Sequence, residues 1–210
     1  MGRASAVTLP GGACDCCDVC GRPFTAPYQV LTDGRRICYR CHETAVYDQA
    51  QAQLIYQQVG AILQQTMHLV LNIPTALILV GRDQLADVLR QMGRSAAQVT
   101  QTLGVYARHG RKRAIYAQSG LPRLLLLQVV AHEWGHAWQM ENAPLLREPL
   151  LQEGFAEWIA YQVLLALGME TAAARMAARD DVYGRGLRHV LLLQQHVGQD
   201  GVLAWCRYAR

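Results

Sequence analysis

The chain has 210 residues; 51% are hydrophobic, 17% are charged, and the formal net charge is +4. That length suits one medium domain plus a small module, and the apolar content supplies a sizeable core, which argues against a disordered chain. The mild charge does not by itself point to nucleic acid.

Residues 1–12 carry one arginine and no long apolar run, so no secretory signal is expected. The most apolar stretch, 124–131, is too short to span a bilayer. Six of the seven cysteines fall between Cys14 and Cys41. An odd count in C-x-x-C pairs suits metal thiolates in a reducing compartment better than a disulfide framework. A soluble, cytoplasmic protein with no membrane partner is expected.

Cys17-Asp18-Val19-Cys20 and Cys38-Tyr39-Arg40-Cys41 are two knuckles with 17 residues between them, a spacing that fits one structural zinc held by four thiolates. Between them the sequence predicts a turn at Gly21-Arg22-Pro23, a strand over 28–31, a hairpin turn at Asp33-Gly34 and a return strand over 35–37. A hairpin between knuckles is a zinc ribbon or half of a LIM domain. It is too small to hold a core without metal. Its four thiolates leave no open coordination position, so its expected role is docking rather than catalysis. Cys14, Cys16 and His42 are spare donors nearby. We divide the chain into this module at 1–45 and a larger domain at 46–210.

From 43 to about 71 the apolar positions Ile55, Val59, Ile62, Leu63, Met67 and Val70 recur at a helical period, and Asn72-Ile73-Pro74 ends the run. His68 reads as a packed or surface histidine. A buried strand is expected over 75–80, a helix over 83–92, and two strands over 103–108 and 113–118 around His109-Gly110. Basic residues crowd that turn between Arg108 and Arg113. They read as a solvated hairpin tip, and without interleaved aromatics a nucleic-acid partner is disfavoured. The strand before the next helix, Ala114, Ile115, Tyr116, Ala117 and Gln118, is expected to hold an extended substrate by strand addition.

A helix starting at Gly120-Leu121-Pro122 and running to about Asn142 carries His132-Glu133-Trp134-Gly135-His136. This is H-E-x-x-H. Two histidines at i and i+4 share a helix face and can close on one zinc ion, while Glu133 reaches a metal-bound water as general base. Hydrolytic zinc takes three protein ligands. Glu148-Pro149 marks a second helix start, on which Glu153 and Glu157 form another i, i+4 pair. Glu153 is the expected third ligand, with 16 residues between it and His136 for the chain to turn back. Glu157 is placed to hydrogen-bond a metal-bound histidine. Glu141 and Glu148 are weaker alternatives for the third ligand. Tyr183 and His189, later in the chain, are candidate donors to the oxyanion of the reaction. Further helices are expected over 171–179, 187–197 and 201–208.

H-E-x-x-H followed by Glu153-Gly154-Phe155-Ala156-Glu157 resembles the gluzincin peptidases, in which the glutamate before the glycine binds zinc. A broader resemblance is carried by the knuckle segment 17–41, residues 73–82, Gly120-Leu121-Pro122-Arg123-Leu124-Leu125, residues 131–138 and Tyr183-Gly184-Arg185-Gly186. These resemble the carboxy-terminal region of the plant ubiquitin-activated LIM-domain peptidases that regulate organ size, the "DA-one" family. The resemblance implies a stripped-down peptidase core acting on protein or peptide substrates, with ubiquitin or ubiquitinated proteins as partners. The expected fold is therefore α+β: a mostly helical, zincin-like core with a small sheet, preceded by the LIM-like module, and with two zinc ions, one catalytic and one structural. The competing expectation is a catalytically silent, zinc-stabilised protein-binding module.

Overall fold

The computed structural model describes residues 15–110 and 112–209. In chain order the elements are β1 (Tyr28–Val30), β2 (Arg36–Cys38), α1 (Tyr39–Glu43), β3 (Ala45–Val46), α2 (Gln49–Met67), β4 (Ala76–Val80), α3 (Arg82–Gln91), α4 (Ala96–Gln101), β5 (Gly104–His109), β6 (Lys112–Gln118), β7 (Leu121–Pro122), α5 (Arg123–Asn142), α6 (Pro149–Ala166), α7 (Glu170–Ala177) and α8 (Val182–Tyr208). The architecture is α+β, with small sheets of order β1-β2, β3-β7 and β4-β6-β5. Among the described residues no helix is long and apolar enough to cross a membrane.

The hairpin expected between the knuckles forms as β1 and β2, turning through Gly34 at φ +78°. It is keyed into the rest of the chain. Arg35 is 3% exposed, pairs with Asp33 and donates to the Ser119 carbonyl at 2.6 Å. Asp33 in turn accepts from the Arg82 amide at the start of α3. Just past the second knuckle, β3 pairs antiparallel with β7, and the Arg123 amide donates to Thr44. The knuckle helix α1 is thereby tied to the first turn of α5.

That pairing corrects the helix expected from 43. Ala45 and Val46 extend to meet Leu121 and Pro122, and α2 begins only after Asp48, whose carboxylate accepts from the Gln51 amide. The helix ends at Met67, because His68 takes a left-handed conformation and Leu69 bonds back to Leu63. Val70, expected on the buried stripe, is exposed. Leu121 and Pro122 are likewise strand rather than first helical turn. The last two expected helices form on either side of Gly198, whose φ of 72° breaks α8, but the first of them begins earlier, at Val182.

The sheet corrects a second expectation. β6, carrying Ala114–Gln118, is the middle strand: it pairs parallel with β4 and antiparallel with β5. Both its hydrogen-bonding edges are filled, so it cannot accept a substrate strand. Of the outer strands, β4 is sealed by α2, since Gln49 bonds Leu77 O and Leu79 N and Tyr56 donates to Thr75 O. β5 is the other edge. Gln118 N donates to Leu103 O, so with the observed register the odd residues of β5 bond inward and Gly104, Tyr106 and Arg108 turn their amides outward.

The main core lies between α2, α5, α6 and α8, with Trp138, Phe155 and Trp158 fully buried, Trp138 stacked on Phe155 and Phe155 tilted against Trp158. A smaller cluster packs α3 and α4 on the far face of the sheet.

Candidate metal centre

Helix periodicity puts His132 and His136 one turn apart on α5, and their Nε2 atoms lie 3.1 Å from each other. Helix α6 returns antiparallel and brings Glu153 Oε2 to 3.2 Å from His132 Nε2 and 3.4 Å from His136 Nε2. Two glycines permit this. A Cβ on Gly135 would come within 2.9 Å of Ala156, so only glycine lets α6 lie this close to the motif. Gly154 makes the equivalent approach to Gly186 of α8.

Zinc held at about 2.05 Å by tetrahedral donors sets those donors about 3.3 Å apart. The three measured separations bracket that value, so two imidazoles and a carboxylate here fit a zinc ion.

The supporting groups follow the expectation for Glu157 and extend it. His132 Nδ1 pairs with Glu157 Oε2 at 2.9 Å, and Glu157 is 5% exposed. Its other oxygen accepts from Arg179 Nη1 at 3.0 Å. His136 Nδ1 pairs with Gln139 Oε1 at 2.9 Å, and Gln139 is held by the Gln152 carbonyl. Each ring is therefore fixed from behind, which orients its Nε2. Burial disfavours charge on His132, yet the carboxylates of Glu153 and Glu157 hold its pKa up to about 10. Burial likewise disfavours the Glu153 carboxylate, but both histidines hold it well below the usual range.

Glu133, the residue after His132, turns toward the sheet. Its Oε2 accepts from the outward amide of Tyr106 on β5 at 2.7 Å, and the residue is 8% exposed. The structure thus brings the Glu133 side chain to the open edge of the sheet. Tyr183 lies beside the centre, its ring centroid 5.7 Å from that of His132 and 4.9 Å from the Arg179 guanidinium carbon. Burial, then the Glu153 and Glu133 carboxylates, keep its phenol protonated.

His189 does not join the site. Six residues beyond Tyr183 on the same helix, it faces solvent, with no hydrogen bond, ion pair or ring contact to the centre. The alternative ligands are occupied elsewhere: Glu141 accepts from the amides of Asn72 and Ile73, and Glu148 caps α6 through Leu151. Arg179 and the Tyr106 amide were not foreseen. Arg179 stands in no motif, and a backbone amide leaves no trace in sequence. Gln139 stands three residues after His136, on the same face of α5, and belongs to no motif.

The second donor group is Cys17, Cys20, Cys38 and Cys41, whose sulfurs all lie within 4.8 Å of one another. A tetrahedral zinc thiolate has sulfurs about 3.8 Å apart, and Cys20 and Cys38 are 3.9 Å apart. Burial would raise the Cys17 thiol, but the amides of Cys38, Cys20 and Val19 bring it down to about 7. Cys16 and His42 stand outside this group, His42 bonding Tyr47; Cys14 lies outside the described residues.

Three plant proteins are similar to this chain. Protein DA1 of Arabidopsis thaliana is 26% identical over 206 residues, covering 82% of this chain and 38% of that protein. Protein DA1-related 1 of the same plant is 25% identical over 184 residues, covering 71% and 33%. The LIM domain-containing protein HDR3 of Oryza sativa subsp. japonica is 24% identical over 170 residues, covering 66% and 34%. The chain spans about a third of the length of the curated relatives it matches. No family model matches it, and no solved structure does.

Proposed function

We propose that this chain is a zinc-dependent metallopeptidase of the gluzincin type, cutting peptide bonds within protein substrates. The observation that carries the reading is the triangle of His132, His136 and Glu153, each histidine braced from behind, with the Glu133 carboxylate within electrostatic reach of His132. The similarity to the DA1 proteins supports it.

A zinc ion in that triangle would act as a Lewis acid and lower the pKa of a bound water from 15.7 to about 7. Glu133 takes the proton and returns it to the leaving amine. The Tyr183 phenol, protonated and next to His132, donates to the oxygen that gains charge. Glu157 and Arg179 keep His132 oriented. The substrate lies extended along β5, bonding the outward backbone groups of Gly104 and Arg108 and the Tyr106 carbonyl, since the Tyr106 amide is held by Glu133; this replaces β6 as the substrate strand. The four-cysteine module takes a structural zinc and braces α5. Four thiolates suit a reducing, cytoplasmic setting, and ubiquitinated proteins are the substrate class that the plant resemblance brings forward.

The test compares wild type with Glu133→Gln on unfolded and ubiquitin-fused proteins. Glutamine still accepts from Tyr106 but cannot carry the proton, so turnover should fall by roughly 10²–10⁴ with the fold and zinc retained. Equal cleavage by the variant would remove Glu133 from the mechanism. A fully metallated wild type that cuts nothing would favour the silent binding module.

A further inference from the structure

We propose that the outer face of the three-stranded sheet, away from the metal centre, docks an acidic amphipathic helix of a partner protein. That face is half covered. Leu85 and Leu89 of α3 close over Val80 and Val105. No helix covers the other half, and there exposed Ala76 and the buried Ala114 and Ala107 stand in one row across β4, β6 and β5, with half-buried Ile78 and Tyr116 in the next. Three methyl groups in a row make a low shelf. It floors a groove of about 830 Å³, walled by Leu71, Ile73 and Pro74.

The ends of the groove differ in charge. His109, Lys112 and Arg113 line the hairpin end, and among the described residues no acidic one lines the groove. Arg113 donates only to the carbonyls of Gly110 and Lys112. Neither it nor Arg108 nor Lys112 has an ion-pair partner among the described residues. The nearby carboxylate of Glu141 is already bonded to two amides. An apolar trough with unpaired cations at one end complements a helix with an apolar stripe and acidic residues toward its C-terminus, where the helix dipole is also negative. An extended strand is not the expected guest on this face, because Gln49 and Tyr56 close the β4 edge and the β5 edge opens toward Glu133 instead. Ala107 of the floor adjoins Tyr106, whose amide meets Glu133 at the opposite margin of β5. A partner held on this face would leave the metal side clear.

The probe is a fluorescein-labelled synthetic helix with leucines at i, i+4 and i+7 and a C-terminal run of glutamates, titrated into the zinc-loaded full chain. Binding should weaken with salt. Filling the shelf with Ala76→Arg, or reversing the cations with Lys112→Glu plus Arg113→Glu, should each weaken it about tenfold or more. Both variants change surface positions, and unaltered melting checks their fold. A matching peptide with lysines for glutamates should not bind. The proposal is overturned if the acidic peptide does not bind, or binds both variants as well as wild type. It is also overturned if a single-stranded RNA oligonucleotide displaces the peptide and binds more tightly, since the face would then be a nucleic-acid surface.

Discussion

Gly154 of α6 and Gly186 of α8 meet backbone to backbone: a Cβ on Gly154 would lie 2.5 Å from the Gly186 carbonyl group. This crossing sets Tyr183, three residues before Gly186, against His132. It explains why each glycine directly follows or closely neighbours a residue of the centre.

Gly154→Ala should therefore cost about 1–3 kcal/mol through overpacking, which for a chain of this size lowers the melting temperature by roughly 2–12 °C. Gly60→Ala is the contrast. It sits inside α2 with nothing within 4 Å of an added Cβ, and should stabilise by about 0.5–1 kcal/mol. Thermal melts of the two variants check the difference in sign.

His132 makes zinc uptake depend on pH. Its metal-free pKa stands at about 10 against an ordinary 6.5, so it is protonated in the folded chain at neutral pH. A raised folded pKa gives stability that is complete below the unfolded value and is lost as pH climbs through the folded one. Zinc takes the place of that proton. Affinity at this centre should accordingly rise through the neutral and mildly alkaline range, with proton release measurable by calorimetry in two buffers. A flat profile with no released proton would contradict the assignment.

Arg179 reaches the His132 imidazole through Glu157. Replacing it by methionine leaves a carboxylate that is 5% exposed without its cation. Zinc affinity at the His132 centre should drop about 10–100-fold. The four-cysteine site, read separately with a thiolate-sensitive dye, should be unchanged. The Arg179 side chain is itself 43% exposed, so global melting should shift little.

Cys38→Ser should cost the structural zinc and be felt beyond the module. Its effect should travel from α1 through the β3–β7 pair to the first turn of α5. Amide exchange around residues 121–124 should speed up, and should not if the module is independent.

Donor residues were legible because their spacing alone makes them converge. H-E-x-x-H needs only a helix, and two C-x-x-C pairs need only a hairpin. Glu153 was legible from a shared helix face and an adequate return length. Strand order was not. The pattern 114–118 identifies a strand, but whether it lies inside or at the edge depends on the chain leaving β4 and returning through α3, α4 and β5 so that β6 lies parallel beside β4. Helix α4 was overlooked despite a readable signal: Ser95 and Gln98 form a capping box. Arg179 reaches Glu157 through the packing of α7 and α8 on α6, which no local pattern encodes.

The sheet is stoppered on one side only. Gln49 and Tyr56 mimic a neighbouring strand along β4, so growth of the sheet in that direction is blocked. Any added strand must arrive at β5, over Glu133. A second copy of the chain seeking to polymerise edge to edge would thus have to present its own backbone at the metal centre. In an active enzyme, aggregation by that route and self-digestion become the same encounter.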